Sequence, residues 1–403
     1  MVCRADSRTV RMESRPTPAG DIDLFGSETP DAAAEGDRSR PNTGIYPSQE
    51  VEGLIRGRKI LASETIGDPQ IQPASLDLRL GRTAYRVNAS FLPGPDHSVR
   101  DRIDAFAQYE IDLADGGVLE QGHVYIVPLL EQLDLPKPLN AYANPKSSAG
   151  RLDIFTRVIT DYSTAFDRIA AGYCGALYAE ISPRTFSVRV RTGTRLNQLR
   201  LRRGAPTLSK TAMRALQTER KLSTDGPEIT LEGDKLNISL DLSGSGPDAI
   251  VGYKAKKNCD VIDVDRVGHY PAADFWEPIR APADGGFVLN VDDFYILASR
   301  EAVSVPPDHA AEMIPYDTLV GEFRVHYAGF FDPGFGSPEA GGTGSKAVLE
   351  VRPHEVPFFV EDGQVVGRLV YERLRAVPDR LYGKDLGSNY QAQGLRLSKH
   401  FRM

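Results

Sequence analysis

An all-β fold, a barrel or sandwich with very little helix, is what this chain of 403 residues predicts. Three observations carry the expectation. Leu76-Asp77-Leu78-Arg79-Leu80 alternates apolar and polar residues, the pattern of a strand with one buried face. His123-Val124-Tyr125-Ile126-Val127-Pro128 and Val188-Arg189-Val190-Arg191 are short runs rich in β-branched residues. Glycine and proline, 37 and 28 residues, interrupt such runs at short intervals and leave little room for helices.

Along the chain, residues 1–44 are rich in Ser, Pro, Asp, Glu and Gly and poor in apolar side chains. They predict a disordered tail, with an over-long gene start before Met12 as the alternative. Arg4 and Arg11 are not followed by an apolar run, so the segment does not read as a secretory signal. Order is expected from Ile45. Ser48 is placed to cap a short helix through Val51, Leu54 and Ile55. Strands follow, and a second short helix is expected from Ser209 through Met213, Leu216 and Leu222.

The chain also repeats itself. At an offset of 170 residues Tyr125 falls on Tyr295, Glu180 on Glu350, Gly193 on Gly363, and Gln198-Leu199 on Arg368-Leu369. Earlier, at an offset of 164, Ser75-Leu76-Asp77-Leu78 falls on Ser239-Leu240-Asp241-Leu242. A gene duplication explains the set. The joint lies at Arg203-Gly204-Ala205-Pro206, which divides the chain into 1–44, 45–204 and 205–403.

A formal net charge of −7 gives no general attraction to nucleic acid, so any anion site must be local. Cys3, Cys174 and Cys259 are too far apart for a disulfide framework or a CxxC metal clip, which suits a reducing cytoplasm. No run of about 18 apolar residues exists, so no membrane span is expected. The local candidate is Pro145-Lys146-Ser147-Ser148-Ala149-Gly150-Arg151-Leu152. Lys and Arg supply charge, Ser supplies short directional donors, and Gly lets backbone approach.

That segment, with Gln72-Pro73-Ala74-Ser75-Leu76-Asp77-Leu78-Arg79-Leu80-Gly81 and Gly193-Thr194-Arg195-Leu196-Asn197-Gln198-Leu199, resembles the dCTP deaminase and dUTPase family. His326-Tyr327-Ala328-Gly329-Phe330-Phe331-Asp332-Pro333-Gly334-Phe335 looks like that family's nucleoside-binding hairpin. Tyr382, Asn389, Tyr390 and Gln393 look like the deaminase tail that folds over the triphosphate. The resemblance implies two tandem dUTPase-like (β-clip) distorted barrels, each preceded by a short helix. It also implies conversion of dCTP to dUTP and ammonia, magnesium carried with the triphosphate, and dTTP as an inhibitor of many relatives.

Replacing the exocyclic amine at C4 of cytosine needs an activated water and a proton for the leaving nitrogen. One buried carboxylate with a raised pKa can do both. By resemblance that is the strand glutamate, Glu350 or its counterpart Glu180. Arg151 would position the base-side groups, Lys146, Ser147 and Ser148 would hold phosphate oxygens, and Ala328 and Asp332 would serve the nucleoside. The zinc alternative fails on sequence, since His-x-Glu followed by Pro-Cys-x-x-Cys does not occur.

The copies differ in complementary ways. Where the first has Lys146-Ser147-Ser148 and Arg151, the second has Tyr316, Asp317, Thr318 and Gly321. Where the second has Asp332-Pro333-Gly334, the first keeps only Gly172-Tyr173 of the hairpin. Single-repeat relatives are homotrimers with sites between subunits. A composite site is therefore expected within one chain: Lys146, Ser147, Ser148 and Arg151 from copy one, and Ala328, Asp332, Glu350 and the tail from copy two. The rival is a trimer with Glu180 as the base. A dUTP diphosphatase, a bifunctional enzyme and a nucleotide-sensing module without turnover stay open.

Overall fold

Strands dominate, and the four largest sheets among the described residues are of two kinds, each present twice. The computed structural model describes residues 43–225, 231–244, 249–315, 323–326, 329–383 and 394–403. Ala328, Asn389, Tyr390 and Gln393 lie outside the described residues, as do Tyr316, Asp317, Thr318, Gly321 and the 1–42 segment.

In the first half Arg195–Arg203 is bonded to Leu139–Pro145 on one side and to Leu76–Arg79 and Gly44–Ile45 on the other. In the second half Val365–Arg373 lies between His309–Pro315 and Lys235–Ser239. The other sheet places Val124–Asp134 between Thr83–Val87 and Cys174–Pro183, with Ile154–Thr160 beyond. Its second-half equivalent places Tyr295–Val303 between Ile250–Ala255 and Ser345–Pro353, with Phe323–His326 beyond.

Paired hydrogen bonds fix the correspondence between the halves. Leu80 exchanges backbone bonds with Thr194 and Gly193 at 2.9 and 2.8 Å, and Leu240 does the same with Gln364 and Gly363 at 2.9 Å each. Leu80 therefore corresponds to Leu240, an offset of 160, and the 164-residue match of Ser-Leu-Asp-Leu slips by four. The cause is buried. Glu131 accepts the Arg79 amide at 2.8 Å, and Glu301, 170 residues later, accepts the Ser239 amide at 2.9 Å. These carboxylates pin the strand more strongly than the recurring letters do. In this register Asp77, across from Gln198, corresponds to Asn237, across from Arg368, so its carboxylate has no counterpart in the second half.

The helices differ in detail from expectation. The first is Ser48–Arg56, but Pro47 occupies the N-cap and Ser48 makes no capping bond. The later one is Lys210–Arg220, where Ser209 accepts from the Ala212 amide at 3.3 Å. Lys221, at φ +47°, ends that helix before Leu222. Three α-helices among the described residues were not expected: the short Ser147–Gly150 and Ala272–Phe275, and Val99–Phe106, which is started by a reciprocal capping box between Ser98 and Asp101. Among the described residues no helix is long and apolar enough to cross a membrane.

The halves interlock through aromatics. Phe186 of the first half packs edge-on against Phe275 and Trp276 of the second at 5.7 and 5.6 Å, and Trp276 meets Phe401 at 5.7 Å. Two short parallel pairings extend the seam. Ile262–Asp263 joins Val188–Val190, and Phe401–Arg402 joins Tyr270–Pro271. These bring the 262–271 segment and the C-terminus against the first half.

Candidate active site

A cavity of about 550 Å³ opens where the halves meet. Lys146, Ser147, Ser148 and Arg151 line it from the first half; Asp332, Glu350 and Tyr382 line it from the second. The structure thus brings together seven of the predicted site residues. It does not bring Glu180.

Alternation along Ser345–Pro353 explains Glu350. Ala347, Leu349 and Val351 enter the second core, so Val348, Glu350 and Arg352 turn toward the first half. Arg352 bonds Asp153 and, at 2.6 Å, Thr185 Oγ1, which ties the strand to the turn after Arg151. Glu350 is buried, with Arg151 Nε 3.9 Å from its Oε1. Burial outweighs that guanidinium and pushes the Glu350 carboxyl up to about 8.

Glu180 sits at the corresponding place on Cys174–Pro183, yet its surroundings are different. Arg157 stands directly across the ladder and bonds Glu180 Oε1 through Nε at 3.1 Å and Nη2 at 2.5 Å. The Arg157 guanidinium also lies 3.4 Å over the Phe166 ring. Charge and space beside Glu180 are therefore taken. By backbone register the residue across from Glu350 is His326. Arg157 thus stands in the first half where His326 stands in the second, a match that only the strand pairing reveals.

The cationic end of the cavity is built around one carboxylate. Asp77 is buried, paired with Lys146 Nζ and 3.5 Å from Arg195 Nη1. Lys399 lines the same end, and burial with the neighbouring Lys146 and Arg195 lowers its pKa. Arg195, Lys399, Asp265 and His400 were missed as site residues. Arg195 lies inside a quoted motif, whereas Lys399 and His400 follow the tail residues and reach the cavity only through the strand pairing of the C-terminus.

At the nucleoside end Asp332-Pro333-Gly334-Phe335 forms a tight turn, with the Phe335 amide bonded to the Asp332 carbonyl at 3.1 Å. Gly334, at φ +94°, takes the left-handed position that such a turn requires after Pro. A Cβ there would come within 3.1 Å of Leu381 Cβ and 3.0 Å of the Tyr382 carbonyl. Arg200 of the first half holds the turn. It lies 3.9 Å over Phe330, donates to the Ala311 carbonyl at 3.1 Å, and meets Asp332 Oδ1 at 3.2 Å. Burial still raises the Asp332 pKa against that pull.

Glu350 predicts a pH dependence of stability. Its folded pKa, near 8, exceeds the value of an unfolded glutamate, so the folded chain binds more protons between those values. This group's contribution falls as pH rises from about 4.5 to 8. Glu350→Gln should flatten that part of a Tm-against-pH curve; an unchanged slope would remove the assignment.

A strand-built scaffold sets a cationic pocket end and a buried, proton-holding carboxylate in one cavity, an arrangement suited to an enzyme that takes an anionic substrate. Comparison with known proteins is specific. The model described as the 2′-deoxycytidine 5′-triphosphate deaminase N-terminal domain matches residues 42–205, and the corresponding C-terminal domain matches residues 209–401. The chain belongs to the 2′-deoxycytidine 5′-triphosphate deaminase family and is an enzyme with two domains. The crystal structure of 2′-deoxycytidine 5′-triphosphate deaminase from Agrobacterium tumefaciens is 54% identical with a TM-score of 0.79, and the match covers 83% of this chain and 99% of that one. A dUMP-forming dCTP deaminase from Coprothermobacter proteolyticus is 31% identical over 136 residues, 32% of this chain and 68% of the relative. A dCTP deaminase from Natronomonas pharaonis is 32% identical over 146 residues, 34% of this chain and 70% of the relative.

Proposed function

We propose that the chain hydrolyses dCTP to dUTP and ammonia in this cavity, with Glu350 as the working acid–base. The observation that carries the reading is that Glu350 and the Lys146–Arg195–Lys399 end share one cavity of small-molecule size. In this reading the triphosphate lies at the cationic end, and Ser147 and Ser148 add hydrogen bonds. The sugar rests on the Asp332 turn, whose close packing leaves a 2′-hydroxyl no room. Tyr382, its ring tilted against Phe335 with centroids 5.6 Å apart, closes that end. The base then points C4 at Glu350 and Arg151.

Ionised Glu350 takes a proton from water, and the oxygen bonds to C4. The same carboxyl gives that proton to the amine nitrogen as the C–N bond breaks and ammonia leaves. Because the first step needs the carboxylate, kcat/KM should rise with pH toward about 8. No zinc is invoked, since its sequence signature is missing. Magnesium would enter with the triphosphate. Asp77, a buried carboxylate at the cationic end, is engaged by Lys146 and Arg195, so phosphates and water would supply most of the ligands.

Several further readings rest on the same observations. The paired sheet orders and the matching Glu131 and Glu301 bonds support duplicated β-clip barrels, divided near residue 204. Residues of both halves line the cavity, which supports a composite site built from the two halves of one chain. The second functional reading, that dUTP is carried on to dUMP and pyrophosphate, is favoured by Asp77, a carboxylate at the phosphate end. Incubation with dCTP, CTP and dUTP, followed by separate ammonia and pyrophosphate assays, decides. Ammonia from dCTP without pyrophosphate is expected. Pyrophosphate would move the assignment to the dUMP-forming reaction, and equal turnover of CTP would remove the sugar argument.

A further inference from the structure

The C-terminal segment beyond Gln393 grips the anion-binding loop. Ser398 and His400 are both buried, 1% and 2% exposed. Ser398 Oγ lies 2.9 Å from the Ser148 carbonyl oxygen and 2.9 Å from His400 Nδ1, and His400 Nε2 lies 2.8 Å from the Val264 carbonyl oxygen. Two residues before Ser398, the Arg396 carbonyl accepts from Arg151 Nη1 at 3.1 Å. The second half thus holds both ends of the Ser148-to-Arg151 turn.

The hydrogens in this chain do not balance around a neutral imidazole. The Val264 and Ser148 oxygens are carbonyls and only accept, so His400 Nε2 must carry a hydrogen. In a neutral ring Nδ1 is then bare and accepts. The single hydroxyl hydrogen of Ser398 faces two acceptors, Nδ1 and the Ser148 carbonyl, and satisfies one at a time. An imidazolium removes the conflict: Nδ1–H donates to Ser398 Oγ, and the hydroxyl is left for Ser148.

With the cavity's own charges alone, burial holds His400 down to about 4, so its ring is neutral near pH 7. Lys399 beside it opposes protonation, while Asp265 and Asp263 on the facing segment favour it. Lys399 in turn faces Lys146, Arg195, Asp77 and Asp265. His400 and Lys399 both line the cavity, so a polyphosphate entering it sets several negative charges against this group and favours the charged ring.

We propose that Ser398 and His400 are positioning residues for the anion-binding loop. Polyphosphate binding is coupled to proton uptake by His400, which completes the Ser398 hydrogen bond to Ser148. The proposal rests on reading the cationic end as the triphosphate site.

The test uses the full chain and inorganic tripolyphosphate. Titration calorimetry at pH 7 in two buffers of different ionisation enthalpy gives the protons taken up per ligand bound. Comparing wild type with His400→Gln cancels the ligand's own titration. Wild type should take up a substantial fraction of one proton more than the variant. Equal uptake with tripolyphosphate still bound overturns the coupling and leaves the triphosphate reading intact; no tripolyphosphate binding to wild type overturns both. A second pair keeps the positioning role testable if His400→Gln folds poorly. Ser398→Ala should raise KM for dCTP about three- to tenfold, the worth of one hydrogen bond, with kcat within about twofold, and Ser398→Thr should restore it. The same KM in Ser398→Ala and wild type overturns that role.

Discussion

Glu350→Gln should abolish ammonia release from dCTP, lowering kcat by roughly 10²–10⁴-fold, the range of a positioned acid–base group. The fold should survive, because glutamine fills the same volume and removes an ionisable group from a buried strand. Glu180→Gln should behave in the opposite way. Its carboxylate is bonded twice by Arg157 and lies outside the cavity, so turnover should stay within a few-fold of wild type. Stability should fall instead, because breaking a buried pair leaves a guanidinium uncompensated. Arg157 keeps about a quarter of its side-chain exposure, so the loss should lie below the roughly 3–5 kcal/mol of a fully buried pair. Kinetics and thermal unfolding on the two variants separate the roles. A dead Glu180→Gln beside an active Glu350→Gln would reverse the assignment and revive the trimeric arrangement.

How the two glutamates differ also shows what the sequence could reveal. The strands at Leu76–Arg79, Val124–Asp134 and Val188–Val190 were legible because alternation and turn residues are local signals. The cationic loop was legible because Lys146, Ser147, Ser148 and Arg151 lie within six positions. The slip to an offset of 164 was made by the same kind of evidence. Recurring letters look like register, yet Glu131 and Glu301 decide it from another strand. The Ser98–Asp101 box that starts Val99–Phe106 was a local signal and could have been read. Lys399 and His400 could not. They reach the cavity because Phe401–Arg402 pairs with Tyr270–Pro271, a contact set by tertiary packing and silent in spacing. Nor could Arg157 be matched to Glu180 without knowing which strands are neighbours.

Arg200→Met should be among the most destabilising single changes in the chain. The guanidinium is buried, 1% exposed, and it runs from the first half to the Asp332 turn of the second. Methionine keeps much of the packing on Phe330 but leaves Asp332 without its cation. Removing one partner of a buried pair costs about 3–5 kcal/mol, and protonation of Asp332 recovers part of that loss as pH falls. The sign follows from linkage. With Arg200 gone the folded pKa of Asp332 rises further above its unfolded value, so the variant should lose stability relative to wild type as pH increases. Asp332→Asn in the same chain should restore much of the Tm, since no buried charge is then left alone. Nucleotide binding should not return with it. The turn would be folded but would lack the guanidinium that also bonds the Ala311 carbonyl, so KM for dCTP should stay raised in the double variant. A double variant with both wild-type Tm and wild-type KM would show that Arg200 only balances charge. A single variant with an unchanged Tm would show that the crossing from Arg200 to Asp332 does not hold the halves of the site together.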